Sequence, residues 1–155
     1  GNIMPTRINE LLSWLEATEK QELLEVSQDL NAKAYQGYTI VTKSQTIIYR
    51  EAKATPIKIG YFVTLWKADK DKKTGPYCDK DAIDRLIIAV QKESVFSYFM
   101  FTKDDLLRHN LIGNATQSGK RGFRIYLPTD NTNSKQAKQS QQWQANYHKE
   151  SLQLL

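Results

Sequence analysis

From Tyr38 to Leu127 the chain is written mainly in short β-branched and aromatic runs set between turn residues, a pattern that commits most of its length to a sheet. Tyr38 to Thr42 and Thr46 to Arg50 are two such runs, and Lys43, Ser44 and Gln45 between them are the length of a hairpin loop. Tyr61 to Lys67 alternates, with Phe62, Thr64 and Trp66 on one side and Val63 and Leu65 on the other. Further strands are expected at Leu86 to Val90, Phe96 to Phe101 and Arg121 to Leu127. The stretch from Ala68 to Asp81, with Gly75 and Pro76, reads as a polar loop.

The ends of the chain change period. Ile8, Leu11, Leu12 and Leu15 recur at i, i+3, i+4 and i+7, the stripe of a helix with one buried face, starting at Asn2 or Thr6. Thr18 and Gln21 have capping-box spacing, which predicts a second helix through Leu23 and Leu24 to about Leu30. Thr102 is placed to cap a short helix over Asp104 to His109, and Ser134 to begin a final helix carrying Ala137, Trp143 and Tyr147. Pro128 stops the last strand. The expected class is α+β in a single domain, with a mostly antiparallel sheet, N-terminal helices and a C-terminal helix.

Charge is unevenly placed. Residues 103 to 149 hold eight Lys or Arg against three Asp, which accounts for the whole net charge of +5. A basic half beside a neutral half fits a face for an anionic partner, DNA or an acidic protein, and equally an ordinary solvated basic surface. Glu10, Glu16, Glu19, Glu22 and Glu25 make the N-terminal segment acidic and unsuited to phosphates. No run approaches the roughly 20 apolar residues of a membrane-spanning helix, and no basic-then-apolar leader is visible. Cys78 has no second cysteine to pair with and no Cys or His nearby at metal-ligand spacing. A cytoplasmic protein without membrane contact or cofactor is expected.

Among the cations, Lys120, Arg121 and Arg124 stand out as phosphate contacts, because Gly119 and Gly122 allow close backbone approach. Arg121 and Arg124 differ by an odd number along a strand, so one of them is a candidate for an internal pair with a carboxylate such as Glu51. Lys53, Lys58 and Lys67 flank a second block in which Thr55 and Pro56 set a turn. Trp66 reads first as a core residue and second as a stacking platform, and Trp143 as an anchor for the last helix. Gln136, Gln139, Gln141, Gln142 and Gln144 are either adenine-reading groups or a solvated face. Glu51 and Lys53 spell half of a metal-dependent nuclease site, without a convincing Asp on a neighbouring strand to complete it. His109 and His148 lie far apart, have no nucleophile in a recognisable motif, and read as surface residues.

Three blocks, Glu51 to Lys67, Gly119 to Pro128 and Lys135 to Gln144, together resemble the MepB-like family in order and spacing. The likeness runs from about Tyr38 to Tyr147 and leaves out the N-terminal segment, so residues 38–148 correspond to the family core and 2–32 to a helical extension. It departs from the family after Tyr126, where Leu127, Pro128 and Thr129 stand in place of a Pro followed by a Trp. The resemblance implies a DNA-recognition fold like that of a restriction endonuclease without its cleavage domain. An accessory or regulatory DNA-binding role without catalysis is the expectation it carries, with a protein-interaction domain or a nuclease built on Glu51 and Lys53 as alternatives.

Overall fold

A computed structural model describes residues 6–68, 71 and 73–152. Asn2, one of the two expected helix starts, lies outside these residues. The first helix, α1, spans Thr6–Ala17. It is followed by β1 (Leu23–Gln28), a 3-10 segment (Leu30–Tyr35), the hairpin β2 (Tyr38–Thr42) and β3 (Thr46–Glu51), and the short β4 (Lys53–Ala54). Next come β5 (Tyr61–Thr64), β6 (Trp66–Ala68), β7 (Thr74–Pro76), β8 (Arg85–Lys92) and β9 (Val95–Thr102). The chain then runs through α2 (Lys103–Arg108), β10 (Gly122–Ile125), α3 (Lys135–Gln144), a second 3-10 turn (Ala145–Tyr147) and β11 (His148–Lys149).

Six strands form the main sheet in the order β1-β2-β3-β8-β9-β11, with β3 and β8 parallel and the other pairs antiparallel. The period of two sorts its central strands between two cores. Ile47 and Tyr49 of β3, Ile87 and Ala89 of β8 and Tyr98 of β9 meet Ile8, Leu11 and Leu15 of α1 on one face. Ile48, Leu86, Ile88, Val90, Phe99 and Phe101 point the other way, onto Val63, Leu65, Phe123 and Ile125. Those partners belong largely to a second, three-stranded sheet ordered β10-β5-β4. Ile8, Leu11 and Leu15 are each fully covered, a contribution of about 1.5–3 kcal/mol apiece.

Where the sequence predicts a second helix, the chain makes β1, paired with β2 through Val26 and Ile40. Thr18 closes α1 by donating its backbone N–H to Trp14, and Lys20 takes a left-handed φ of 56° that turns the chain away. Gln21 then accepts from the Thr42 and Ser44 hydroxyls, so its side chain serves the hairpin and caps no helix. The polar loop also contains structure, since β7 pairs with β6 as a two-stranded ribbon. Trp66 sits on that ribbon half-buried and opposite Pro76, outside both cores. The caps at Thr102 and Ser134 form as the sequence indicates, Thr102 in a reciprocal box with Asp105 and Ser134 accepting from the Ala137 amide.

Candidate functional site

The small sheet, the first turns of α3 and loop 55–59 surround a cleft of about 610 Å³. Phe62, Gly122 and Arg124 form its floor, and Ser134, Gln136, Ala137 and Ser140 its helical wall. Lys58 enters from the loop, and Lys120 and His109 from the opposite side. The described residues lining it include three cations and no carboxylate. The first turn of α3 also lacks an acidic side chain, so the positive end of that helix meets the cleft unneutralised by its own residues.

Local chemistry explains how the walls hold. Gln144 is buried and reaches the outer edge of β10, accepting from the Tyr126 amide at 2.8 Å and donating to the Arg124 carbonyl at 2.9 Å. One side-chain amide thereby supplies what a further strand would have offered. Gln141 secures the preceding turn by donating to the carbonyls of Leu127, at 2.9 Å, and Asp130, at 2.7 Å. Of the five helical glutamines, these two are thus structural, while Gln136 faces the cleft. At the back, Trp143 packs against Phe101 and is covered by His109, which is half-buried. Burial and then the neighbouring Arg108 hold the His109 pKa below its ordinary value.

Three of the six expected contacts, Lys58, Lys120 and Arg124, converge on this cleft. Arg124 has a second task. Its guanidinium donates to the Thr55 hydroxyl at 2.8 Å and to the Ile59 carbonyl at 2.9 Å, bracing loop 55–59 against β10. Arg121 points instead to the ribbon, donating to the hydroxyl and carbonyl of Thr74, each at 3.0 Å. Lys67 is paired with Asp81, whose hydrogen bond raises the lysine pKa. Lys53 rests over the Tyr35 ring, 5.0 Å from its centroid.

Other sequence expectations are corrected by the contacts. Neither Arg121 nor Arg124 pairs with Glu51; that carboxylate accepts from Arg7 at 2.7 Å and from the Tyr49 hydroxyl at 2.8 Å. Glu51 is buried on the α1 side of the main sheet, while β4 carries Lys53 to the small sheet. Among the described residues, no group of three His, Cys, Asp or Glu is placed to hold a metal. His148, like His109, is half-buried rather than on the surface, with its ring 4.9 Å from that of Phe99. The glycines serve protein contacts: a Cβ on Gly119 would lie 2.7 Å from the Gly113 amide nitrogen, and one on Gly122 2.6 Å from the Phe62 ring.

A family model described as MepB-like matches residues 29–150, most of the described fold including the whole cleft. The chain belongs to the MepB-like family. It is also similar to the crystal structure of MepB, with 30% sequence identity and a TM-score of 0.80 over 96% of this chain and 99% of that one. No curated protein matches it. In this MepB-like chain no helix among the described residues is long and apolar enough to cross a membrane. Lys58, Lys120 and Arg124, singled out from the sequence, line the one cleft, whereas the structural roles of Gln141 and Gln144 and the stacking of His109 on Trp143 do not show in the sequence. Nothing in the order of residues marks those pairs, which are 18 and 20 positions apart where Gln144 meets the strand.

Proposed function

We propose that this MepB-like chain is a DNA-binding accessory or regulatory module that takes the phosphate backbone into the cleft beside α3. The observation that carries the reading is the cleft's composition: Lys58, Lys120 and Arg124 around one concavity with no carboxylate among its described lining residues. Lys58 and Lys120 supply point charges on flexible stems, the amides of the first turn of α3 that Ser134 does not engage supply directed donors, and Arg124 supplies fixed charge on a braced strand. These charges neutralise phosphates whatever the sequence, so affinity comes first from counterion release. Gln136 and Ser140 on the same wall are the polar groups available to a base edge.

Titration of a labelled duplex across salt concentrations tests this. Three phosphate contacts correspond to a slope of about −2.7 in log affinity against log salt. Absence of binding at low salt, or binding indifferent to salt, would overturn the reading and favour an acidic protein as the partner.

A further inference from the structure

Loop 55–59 carries an exposed apolar tip on a braced backbone. Its tip carries Ile57, which is 95% exposed, yet its backbone is held firmly from below. Arg124 donates to the Thr55 hydroxyl and to the carbonyls of Lys58 and Ile59, and the Thr55 hydroxyl donates to the Lys58 carbonyl at 3.3 Å. Pro56 fixes the backbone immediately before the tip, and Gly60 turns the chain back into β5 with a φ of +89°. An apolar side chain on a slack loop folds back onto the surface. Here the bracing keeps Ile57 projecting from the lip of the cleft.

We propose that Ile57 is a wedge that enters the base stack of duplex DNA while Lys58 and the cleft hold the adjacent phosphates. The proposal rests on the DNA-binding reading above and adds to it a contact residue and a deformation of the ligand. The chemistry fits that ligand better than a protein surface. A protein partner calls for a contiguous apolar patch of a few hundred Å², whereas this loop offers Ile57 with the partly exposed Ile59 beside it, among Thr55, Pro56 and Lys58. Apolar wedges partly unstack a base step and kink the duplex, and the flanking cations follow the bent backbone. A β-branched side chain suits the task because it has little rotamer freedom to lose on insertion.

The test uses the full chain and a duplex carrying 2-aminopurine in its central steps, with donor and acceptor dyes at its ends. The intact protein is expected to raise 2-aminopurine fluorescence and shorten the end-to-end distance. Ile57→Ser is expected to keep its melting temperature and the salt slope, and to lose both signals. Ile57→Leu restores them. If the intact protein binds the duplex without either signal, or if Ile57→Ser retains both, the wedge is wrong while DNA binding stands. If the intact protein fails to bind at all, the underlying reading falls and the wedge with it.

Discussion

His109 lies flat on Trp143, with ring centroids 3.8 Å apart and 8° between the ring planes. The pair lines the cleft, so the protonation of one imidazole bears on stability and, if DNA binds as proposed, on affinity. Burial and Arg108 lower the His109 pKa in the folded chain. The unfolded chain therefore takes up a proton near 6.5 that the folded one refuses. Stability is full above that value and declines as pH falls from 6.5 toward the folded pKa. Denaturation at pH 7.5 and 5.5, compared between the intact protein and His109→Leu, checks this: the variant should lose part of the pH dependence, with His148 supplying the remainder. A phosphate in the cleft favours the imidazolium, so DNA affinity should rise on acidification in the intact protein and less in the variant.

Gln144→Leu removes the side chain that completes the edge of β10. The Tyr126 amide and the Arg124 carbonyl then lose their partner, at about 1–3 kcal/mol for each group left unsatisfied. Gln144→Glu keeps an acceptor for Tyr126 but has no donor for Arg124, so it should fall between the two. Urea unfolding ranks the three proteins. Equal stability of Gln144→Leu and the parent would show that Trp143 packing and the Gln141 bonds hold the helix without it.

How much of this was legible in the sequence follows from the range of the interactions involved. Strands β2, β3, β8 and β9 were readable because their side chains are sorted by the pleat itself, and the caps at Thr102 and Ser134 because capping acts within three residues. Leu23 to Gln28 was misread because an edge strand with one half-buried face and Leu23, Leu24 and Val26 close together satisfies the helical and the extended pattern alike. Pairing with β2, outside the window, decided it. The cleft was half legible for the same reason. A basic residue is visible as such, but the partner that occupies it is not, and Asp81 on Lys67 and Thr74 on Arg121 lie 14 and 47 positions away.

Arg50 is 1% exposed and joined to Asp29 at 2.8 Å, with Asp29 also accepting from the Thr39 hydroxyl. A buried pair broken from one side loses about 3–5 kcal/mol. Asp29→Ala should destabilise the protein on that scale, because it leaves a buried guanidinium without its carboxylate. Arg50→Met is milder where packing replaces the guanidinium. Thermal melts of the two variants decide, and the reverse ranking would place the main role of Arg50 in its bonds to the Tyr49 and Trp66 carbonyls.

Glu51 offers a direct test of the nuclease alternative. Its two oxygens are engaged by Arg7 and Tyr49, so Glu51→Ala should lower stability by leaving the Tyr49 hydroxyl without its acceptor in a buried site. With Mg²⁺ or Mn²⁺ supplied, the intact protein should leave plasmid DNA uncut. Metal-dependent cutting that disappears in a folded Glu51→Gln variant would reverse this assignment and make the Arg7 pair a resting state of a catalytic carboxylate.

The cations divide into those that face the cleft and those occupied elsewhere, and this division makes the last test quantitative. Lys58→Ala with Lys120→Ala removes two exposed cleft charges, so the salt slope should flatten by about 2 with little change in melting temperature. Arg121→Ala and Lys67→Ala remove equal formal charge from the Thr74 and Asp81 contacts. Long-range attraction alone would make both pairs equivalent, since a Debye length near 8 Å at physiological salt still spans part of this small surface. Direct phosphate contact makes them different: the second pair should weaken binding slightly and leave the slope nearly intact. Arg124→Ala belongs to neither class, because it withdraws a charge and also releases loop 55–59. It should flatten the slope by about 1 and lower affinity further than the slope accounts for. Equal slopes for the two lysine-containing pairs would mean that the cleft is not where the phosphates lie.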